Sequence, residues 1–269
     1  MMLELFSMDF FRNAFLACIL LSALFGVLSF FVVTRKMAFI GAGVAHTAFG
    51  GVAVGVFFGI NPFWTALLFC VLSAIAIAKL SRRGKLSVDV GIGIFFAFSM
   101  AIGMLLIRLK KAYTFDLQGY LFGNILAVNT ADLLMTVAIL IFFIPFIVLF
   151  IHRILFMTFD EEVAEASGIR TEHIDTALFV FLAAIIVISM KIVGIILVSA
   201  LVVLPASFGL VLTKHFRGVI AWGTMYTLGT MCGGLVFSYY LDTPPGATMV
   251  VLGTCAYLAF LFYHNIKER

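Results

Sequence analysis

Long apolar runs separated by short polar segments make up almost the whole chain. A membrane-spanning helix needs about 20 apolar residues, and reading the chain at that length predicts about nine spans. The second span is rich in glycine, so its helix is either continuous or broken. The boundary between the sixth and seventh spans depends on Lys191. The pattern therefore predicts an all-α polytopic membrane protein with eight to nine transmembrane helices. The predicted spans are roughly 10–33, 38–60, 62–80, 90–108, 131–150, 174–190, 192–213, 218–239 and 247–264.

Composition agrees with this pattern. The 269 residues are 64% hydrophobic and 11% charged, and the mean hydropathy is +1.22. A soluble domain carries about 25% charged residues, so this chain belongs in a lipid bilayer. The net charge of +4 is small, and no basic run of the kind that binds nucleic acid is present. We expect a single transmembrane domain over 1–269, without a nucleic-acid partner.

The beginning of the chain predicts a retained first span. Glu4 and Asp9 precede the apolar run, which extends from about Phe10 to Val33. The apolar core of a cleavable signal peptide is shorter, about 7–15 residues.

Positive charges between the spans predict the orientation. With the N-terminus outside, five groups of basic residues fall in the cytoplasm, as does the C-terminus. Arg108, Lys110 and Lys111 then lie on the external side; either they reach back to the membrane surface, or the segment 112–127 re-enters the membrane. The five groups are Arg35 and Lys36; Lys79, Arg82, Arg83 and Lys85; His152 and Arg153; Lys214 and Arg217; and Lys267 and Arg269.

Several residues within or beside the spans favour packing or solvation over chemistry. Lys191 is expected to extend to the external interface, Asp132 to be solvated at the end of a span, and Pro205 to kink its helix. The cysteines show no CxxC spacing and are expected to be buried as small apolar side chains. They are Cys18, Cys70, Cys232 and Cys255.

The glycine-rich second span contains one ionisable residue, His46. Gly51, Gly55 and Gly59 repeat every four residues, so a helix here presents a smooth stripe for close packing. An intramembrane histidine is costly and commonly faces a cavity, a polar partner or a transported ion. Two interpretations remain open for His46: a packed, hydrogen-bonded residue, or a residue that lines a transport path.

The longest polar element is the segment TFDEEVAEASGIRTEHID at 158–175. Asp160, Glu161 and Glu162 suit a helix N-terminus, and Gly168 is placed to end the helix. The segment is either an ordinary solvated connector or a short helix that docks onto a partner protein.

Sequence motifs give no support for an enzyme. Gly84 and Lys85 lack the upstream glycine of a nucleotide-binding loop, and no H-E-x-x-H or Ser/His/Asp arrangement is present. If ATP drives this protein, a separate subunit hydrolyses it.

Six blocks in this order resemble the membrane-spanning permease subunits of ATP-binding-cassette importers for zinc, manganese or iron. The resemblance covers most of the chain, and one block alone would be weak evidence. The blocks are FIGAGVAHTAFGGVAVG (39–55), SVDVGIGIFFAFSMAIGMLL (87–106), YLFGNILAV (120–128), FDEEVAEASGI (159–169), VGIILVSALVVLPA (193–206) and YYLDTPPGATMVVL (239–252).

The resemblance implies a homodimer of permease subunits in a prokaryotic cytoplasmic (inner) membrane. A cytoplasmic ABC ATPase dimer would grip a coupling helix at about 159–168, and an extracytoplasmic metal-binding protein would deliver the ion. ATP binding and hydrolysis would switch the path between outward-open and inward-open states. Zinc, manganese or iron would be cargo, with no permanently bound cofactor. The implied coupling residues are Phe159, Asp160, Glu161, Glu162, Glu165, Ala166 and Gly168.

One position departs from the family pattern. The family places an aspartate four residues before the histidine, where carboxylate and imidazole share one helix face and together suit a divalent ion. Here that position is Ala42. Three alternatives stay open: a weaker transit site at His46, a ligand from elsewhere, or a different substrate such as haem, cobalamin or a siderophore. An ion-coupled secondary transporter is a further alternative, which would favour paired intramembrane acids or inverted repeats.

Overall fold

The described residues form a helical protein. The computed structural model describes residues 8–82, 87–110 and 123–267, and these contain helices, turns and no strand. The predicted all-α polytopic class is confirmed. The helices are α1 Asp9–Thr34, α2 Ile40–Phe58, α3 Pro62–Arg82, α4 Val88–Lys110, α5 Thr130–Phe159, α6 Glu161–Ala166, α7 Thr171–Leu201, α8 Leu204–Leu212, α9 Phe216–Leu241 and α10 Pro245–Lys267, with a short 3₁₀ helix at Ile125–Ala127.

Eight helical stretches among the described residues are long and apolar enough to cross a membrane. The stretch Thr171–Leu212 counts once, where the sequence predicted two spans meeting at Lys191. That boundary is wrong, because Lys191 lies inside α7. A lone lysine changes the solvation of a helix but leaves its backbone hydrogen bonds intact, so it does not end one.

The interruption comes at Gly194 instead. Its backbone has φ 81° and ψ 166°, a conformation that glycine adopts readily and other residues avoid. Pro205, which was expected to kink its helix, lies in the first turn of α8. Proline fits there because the N–H that it lacks has no partner within a helix at that position.

The described residues divide into two compact units. The first consists of the described parts of Met1–Ala38, Leu117–Val137 and Ser189–Arg269, and the second of those of Phe39–Asp116 and Ala138–Ile188. The single permease domain expected over 1–269 stays a prediction. Arg83, Lys85, Lys111, Arg269 and most of the possible re-entrant segment 112–127 lie outside the described residues.

In the first unit, α9 packs against α1, α8 and α10. Glycines permit these approaches: a Cβ on Gly223 would lie 2.8 Å from the carbonyl oxygen of Pro205, and one on Gly234 would lie 2.8 Å from the Cα of Met249. The hydroxyl of Tyr226 donates a hydrogen bond of 2.6 Å to the carbonyl oxygen of Gly253. Small residues therefore bring α9 close to its neighbours, as is common between membrane helices.

The first unit also corrects one expectation about a charge. Asp132 was expected to be solvated, but it is buried in an ion pair with Lys191. The Asp132 side chain is 8% exposed and that of Lys191 36% exposed. Asp132 and Asn129 also hold the beginning of α5, since the backbone N–H of each lies within 3.4 Å of a side-chain oxygen of the other. An apolar environment favours pairing over isolated charges.

The expected burial of the cysteines is only partly correct. Cys18 and Cys70 are buried, Cys232 is half-buried and Cys255 is exposed. Cys255 lies on α10, few of whose residues are buried in the structure. An apolar side chain on a membrane helix can face lipid as readily as a protein core, so hydropathy does not distinguish the two.

Candidate functional site

The glycine-rich span forms one continuous helix, α2, within the second unit. It contacts α3 through two glycines of the predicted stripe. A Cβ on Gly51 would lie 2.6 Å from the Cα of Ala66, and one on Gly55 would lie 2.8 Å from the Cα of Pro62. These neighbours are backbone atoms that cannot rotate away, so α2 and α3 can approach this closely only with glycine at both positions.

Another face of α2 approaches α4. A Cβ on Gly50 would lie 2.8 Å from the carbonyl oxygen of Ser99, and one on Gly43 would lie 2.0 Å from a methyl group of Ile92. Gly103 of α4 in turn admits the ring of Phe49. Glycine thus lets α2 pack against two helices at once, which the repeat of four alone did not indicate.

Gly59 does not share the packing expected for the stripe. It follows the last residue of α2 with φ 72°, and no atom of the described residues lies within 4 Å of the position where a Cβ would be. Its backbone N–H bonds to the carbonyl oxygens of the last turn. Gly59 therefore ends the helix, because the left-handed conformation of a helix C-terminus favours glycine.

His46 lies on α2 and is half-buried. Its ring meets that of Phe96 of α4 edge to face, with centroids 5.1 Å apart and planes at 86°. Ala42, one turn earlier, supplies no carboxylate. Within the described ranges, no three His, Cys, Asp or Glu side chains group together as a metal site. The arrangement is a single imidazole against one phenylalanine ring, without a neighbouring carboxylate on its own helix face.

The predicted coupling segment contains the helix α6, and its predicted local structure is confirmed. Asp160 begins the helix, and its carboxylate accepts a hydrogen bond of 3.0 Å from the backbone N–H of Val163. Gly168 follows the helix with φ 81°, and its N–H donates to the carbonyl oxygen of Glu165. Both ends of a six-residue helix are therefore held by specific residues, which a helix this short requires.

Arg82, at the end of α3, holds one face of α6. Its guanidinium pairs with Glu165 and, at 3.4 Å, with Glu161. It also donates to the hydroxyl of Thr171 at 2.6 Å, and that hydroxyl donates to Glu165 at 2.5 Å. The Arg82 side chain is only 17% exposed. Glu161 and Glu165 are one turn apart and face the same side, so one guanidinium reaches both.

The other side of the segment is open and partly apolar. Phe159 is 87% exposed and Val163 is 48% exposed. Glu162 and Ala166 are exposed as well, whereas Ala164 is buried beneath them. An exposed aromatic residue beside an anchored helix is typical of a surface that a partner covers.

The predicted coupling residues therefore fall into three groups. Asp160 and Gly168 terminate α6, Glu161 and Glu165 bind Arg82, and Phe159, Glu162 and Ala166 face outward. Arg82 was interpreted from the sequence only as a topology signal. The spacing of Glu161 and Glu165 indicated one acidic helix face, but nothing local identified the cation 83 residues away.

Known proteins resemble this chain over most of its length. The family model described as the ABC 3 transport family matches residues 7–264. The manganese transport system membrane protein MntC of Halalkalibacterium halodurans is 32% identical over 260 residues, which cover 96% of this chain and 89% of that protein. The high-affinity zinc uptake system membrane protein ZnuB of Haemophilus influenzae is 30% identical over 256 residues, with coverage of 95% and 96%.

A solved structure shares the fold. The structure described as PsaBC from Streptococcus pneumoniae in complex with Fab aligns with a TM-score of 0.81 at 28% identity. The alignment covers 96% of this chain and 95% of that chain. The likeness therefore extends over nearly the whole length of both chains.

Proposed function

This chain belongs to the ABC 3 transport family, and we propose that it is the membrane-spanning subunit of an importer that moves divalent metal ions into the cytoplasm. The observation that carries the proposal is likeness over nearly the full length to membrane proteins named for manganese transport and zinc uptake. Manganese and zinc are accordingly the first substrates to test. Iron, also expected from the sequence, is the third.

Membership of a transport family supports the role of a transport subunit that does not itself hydrolyse ATP. We propose that a separate cytoplasmic ATPase dimer supplies the energy, that two copies of this chain enclose the path, and that an extracytoplasmic protein delivers the ion. The exposed face of Phe159 and Val163 supports an ATPase contact at α6. The bond network of Arg82 supports force transfer, because movement of an anchored helix is passed on to α3.

For the orientation we propose that the N-terminus is external and α6 cytoplasmic. Among the described residues, five membrane-length helices precede α6, and this odd number supports opposite sides for the two. The C-terminus is cytoplasmic if the stretch Thr171–Leu212 turns back within the membrane at Gly194. Its length favours this, because 42 residues in a straight helix would extend about 63 Å, twice the thickness of the hydrocarbon core.

We propose that His46 lines the path and binds the ion weakly and transiently. Imidazole binds both zinc and manganese, but a single ligand binds them weakly. Substituting His46→Ala should lower metal accumulation severalfold while assembly with the ATPase remains intact. His264, half-buried and stacked on Phe260 in the first unit, offers a matched control, His264→Ala. Equal uptake by wild type and H46A would remove His46 from the path.

The function itself is tested with the complete transporter reconstituted in vesicles. ATP-dependent uptake is measured with manganese, zinc and iron, each supplied with the delivering protein. We expect saturable uptake of at least one of these ions that stops when ATP is withheld. Uptake that persists without the ATPase and follows a proton gradient would contradict the proposal, as would transport of a chelate such as haem with none of the free ions.

A further inference from the structure

A cavity of about 690 Å³ opens beside α6, between the end of α5 and the beginning of α7. All the residues that line it belong to the second unit. The proposed transport mechanism does not use it.

One part of the wall is apolar and aromatic. Phe146 and Phe150 lie one turn apart on α5, with ring centroids 5.3 Å apart. Phe146 also contacts Phe181 of α7 at 5.0 Å. Ile174 and Ala177 extend the apolar surface along α7. This part lies along two helices that are long and apolar enough to cross a membrane.

The other part of the wall is cationic. Arg153 follows Phe150 by three residues, and its guanidinium lies 5.6 Å from the centroid of that ring. Arg170 and His173 line the cavity as well, and all three side chains are exposed. No carboxylate is among the lining residues that the structure describes; Glu172, next to His173, is exposed but does not line the cavity.

We infer that this cavity binds one anionic phospholipid, with its phosphate at Arg153 and Arg170 and an acyl chain along Phe146 and Phe150. The two parts of the wall follow each other along α5: seven residues from Phe146 to Arg153 rise about 10 Å, a distance that leads from hydrocarbon to headgroup. A soluble anion would not require the aromatic wall. A zwitterionic lipid such as phosphatidylcholine has the same phosphate, but its choline cation would face the cationic wall, so an anionic headgroup should bind more tightly. Basic pockets at the ends of membrane helices bind anionic headgroups in this way.

Because the cavity lies beside α6, a lipid bound in it would also contact the proposed coupling helix. Ser167 and Gly168 terminate α6 and line the same cavity. A bound headgroup therefore contacts the end of α6 opposite to the Asp160 cap. Anionic lipid should stabilise this region of the protein.

The test is a lipid-retention measurement on the full chain. The protein is purified in neutral detergent and equilibrated with phosphatidylglycerol and phosphatidylcholine of identical acyl chains, and the lipids retained per chain are counted by native mass spectrometry. We expect wild type to retain one phosphatidylglycerol preferentially. Each of Arg153→Gln and Arg170→Gln should weaken retention about fivefold, and the pair about 25-fold.

Two variants serve as controls. Arg217→Gln removes another arginine that lies 5.6 Å from a phenylalanine ring, that of Phe216, and it should retain phosphatidylglycerol like wild type. The double change Arg153→Lys and Arg170→Lys keeps the charge and should retain most of the lipid, which separates loss of binding from loss of folding. Equal retention of the two lipids by wild type, full retention by the double glutamine variant, or displacement by inorganic phosphate alone would overturn the assignment. The measurement involves no transport, so its failure leaves the proposed function untouched.

Discussion

The ion pair of Asp132 and Lys191 gives a quantitative prediction about the stability of the first unit. Lys191 lies inside an apolar helix, and its ammonium reaches the carboxylate of Asp132, 59 positions earlier in the chain. The substitution Lys191→Met keeps the length and apolar stem of the side chain but removes the charge. It leaves the Asp132 carboxylate, only 8% exposed, without its counter-ion.

The exposures of the two partners set the expected magnitudes. Removing one partner of a buried pair costs about 3–5 kcal/mol, and we expect about 3 kcal/mol for K191M, because Asn129 still donates a backbone hydrogen bond to Asp132. The reverse change, Asp132→Asn, leaves the ammonium of Lys191, which is 36% exposed and can reach water or lipid headgroups. We expect it to cost about 1 kcal/mol, since surface pairs contribute that much at most.

The assay is thermal unfolding of the purified chain in detergent, with both single variants and the double variant D132N/K191M. For a chain of this size about 1 kcal/mol corresponds to about 2–4 °C in Tm, so K191M should lower Tm by about 6–12 °C and D132N by about 2–4 °C. The double variant should recover part of the K191M loss, because no buried charge remains.

The exposed Lys214 supplies the matched control: Lys214→Met should change Tm by less than about 2 °C. A larger loss for D132N than for K191M would refute the reasoning from burial. Losses that simply add in the double variant would show that the two charges do not stabilise one another.

Three further outcomes are expected. Phe159→Ala should leave Tm within about 1 °C of wild type, since the side chain is 87% exposed. It should weaken ATPase binding at least tenfold in a pull-down titration, and unchanged binding would exclude Phe159 from the contact. Gly123→Ala should destabilise the protein by about 3 kcal/mol, because φ is +62° and the new Cβ would lie 2.1 Å from the backbone nitrogen of Gly194. The control Gly93→Ala has open space at its Cβ and should be neutral in the same thermal assay. Ala42→Asp should restore a carboxylate one turn before His46 and raise Tm in the presence of zinc or manganese relative to metal-free protein, a gain that the variant H46A/A42D should lose.

Much of the local structure can be predicted from the sequence because its causes are local. The ends of α6 are set by Asp160 and Gly168, each acting on backbone groups within one turn. Hydropathy likewise locates the membrane-length stretches, because the bilayer imposes one length on every span. The order of the six blocks identified the family that the comparisons support.

Predictions about individual polar residues were less successful. Lys191 was interpreted as a helix boundary and Asp132 as a solvated end, but each has the other as its partner. Gly59 was grouped with Gly51 and Gly55 by spacing, although it terminates the helix that they pack. Charge and spacing are properties of one segment, whereas the residue that a side chain contacts comes from another segment.

The sequence by itself determined which stretches are long and apolar enough to cross a membrane, where α6 begins and ends, and to which transport family the chain belongs. Only the tertiary structure decided which charges meet: Arg82 with Glu165 and Lys191 with Asp132. It also decided that the end of α5 and the beginning of α7 enclose a cationic cavity beside α6. The physical reason is range. Hydropathy and helix caps act over one to a few turns, whereas an ion pair or a cavity exists only after packing has joined segments that lie far apart in the chain.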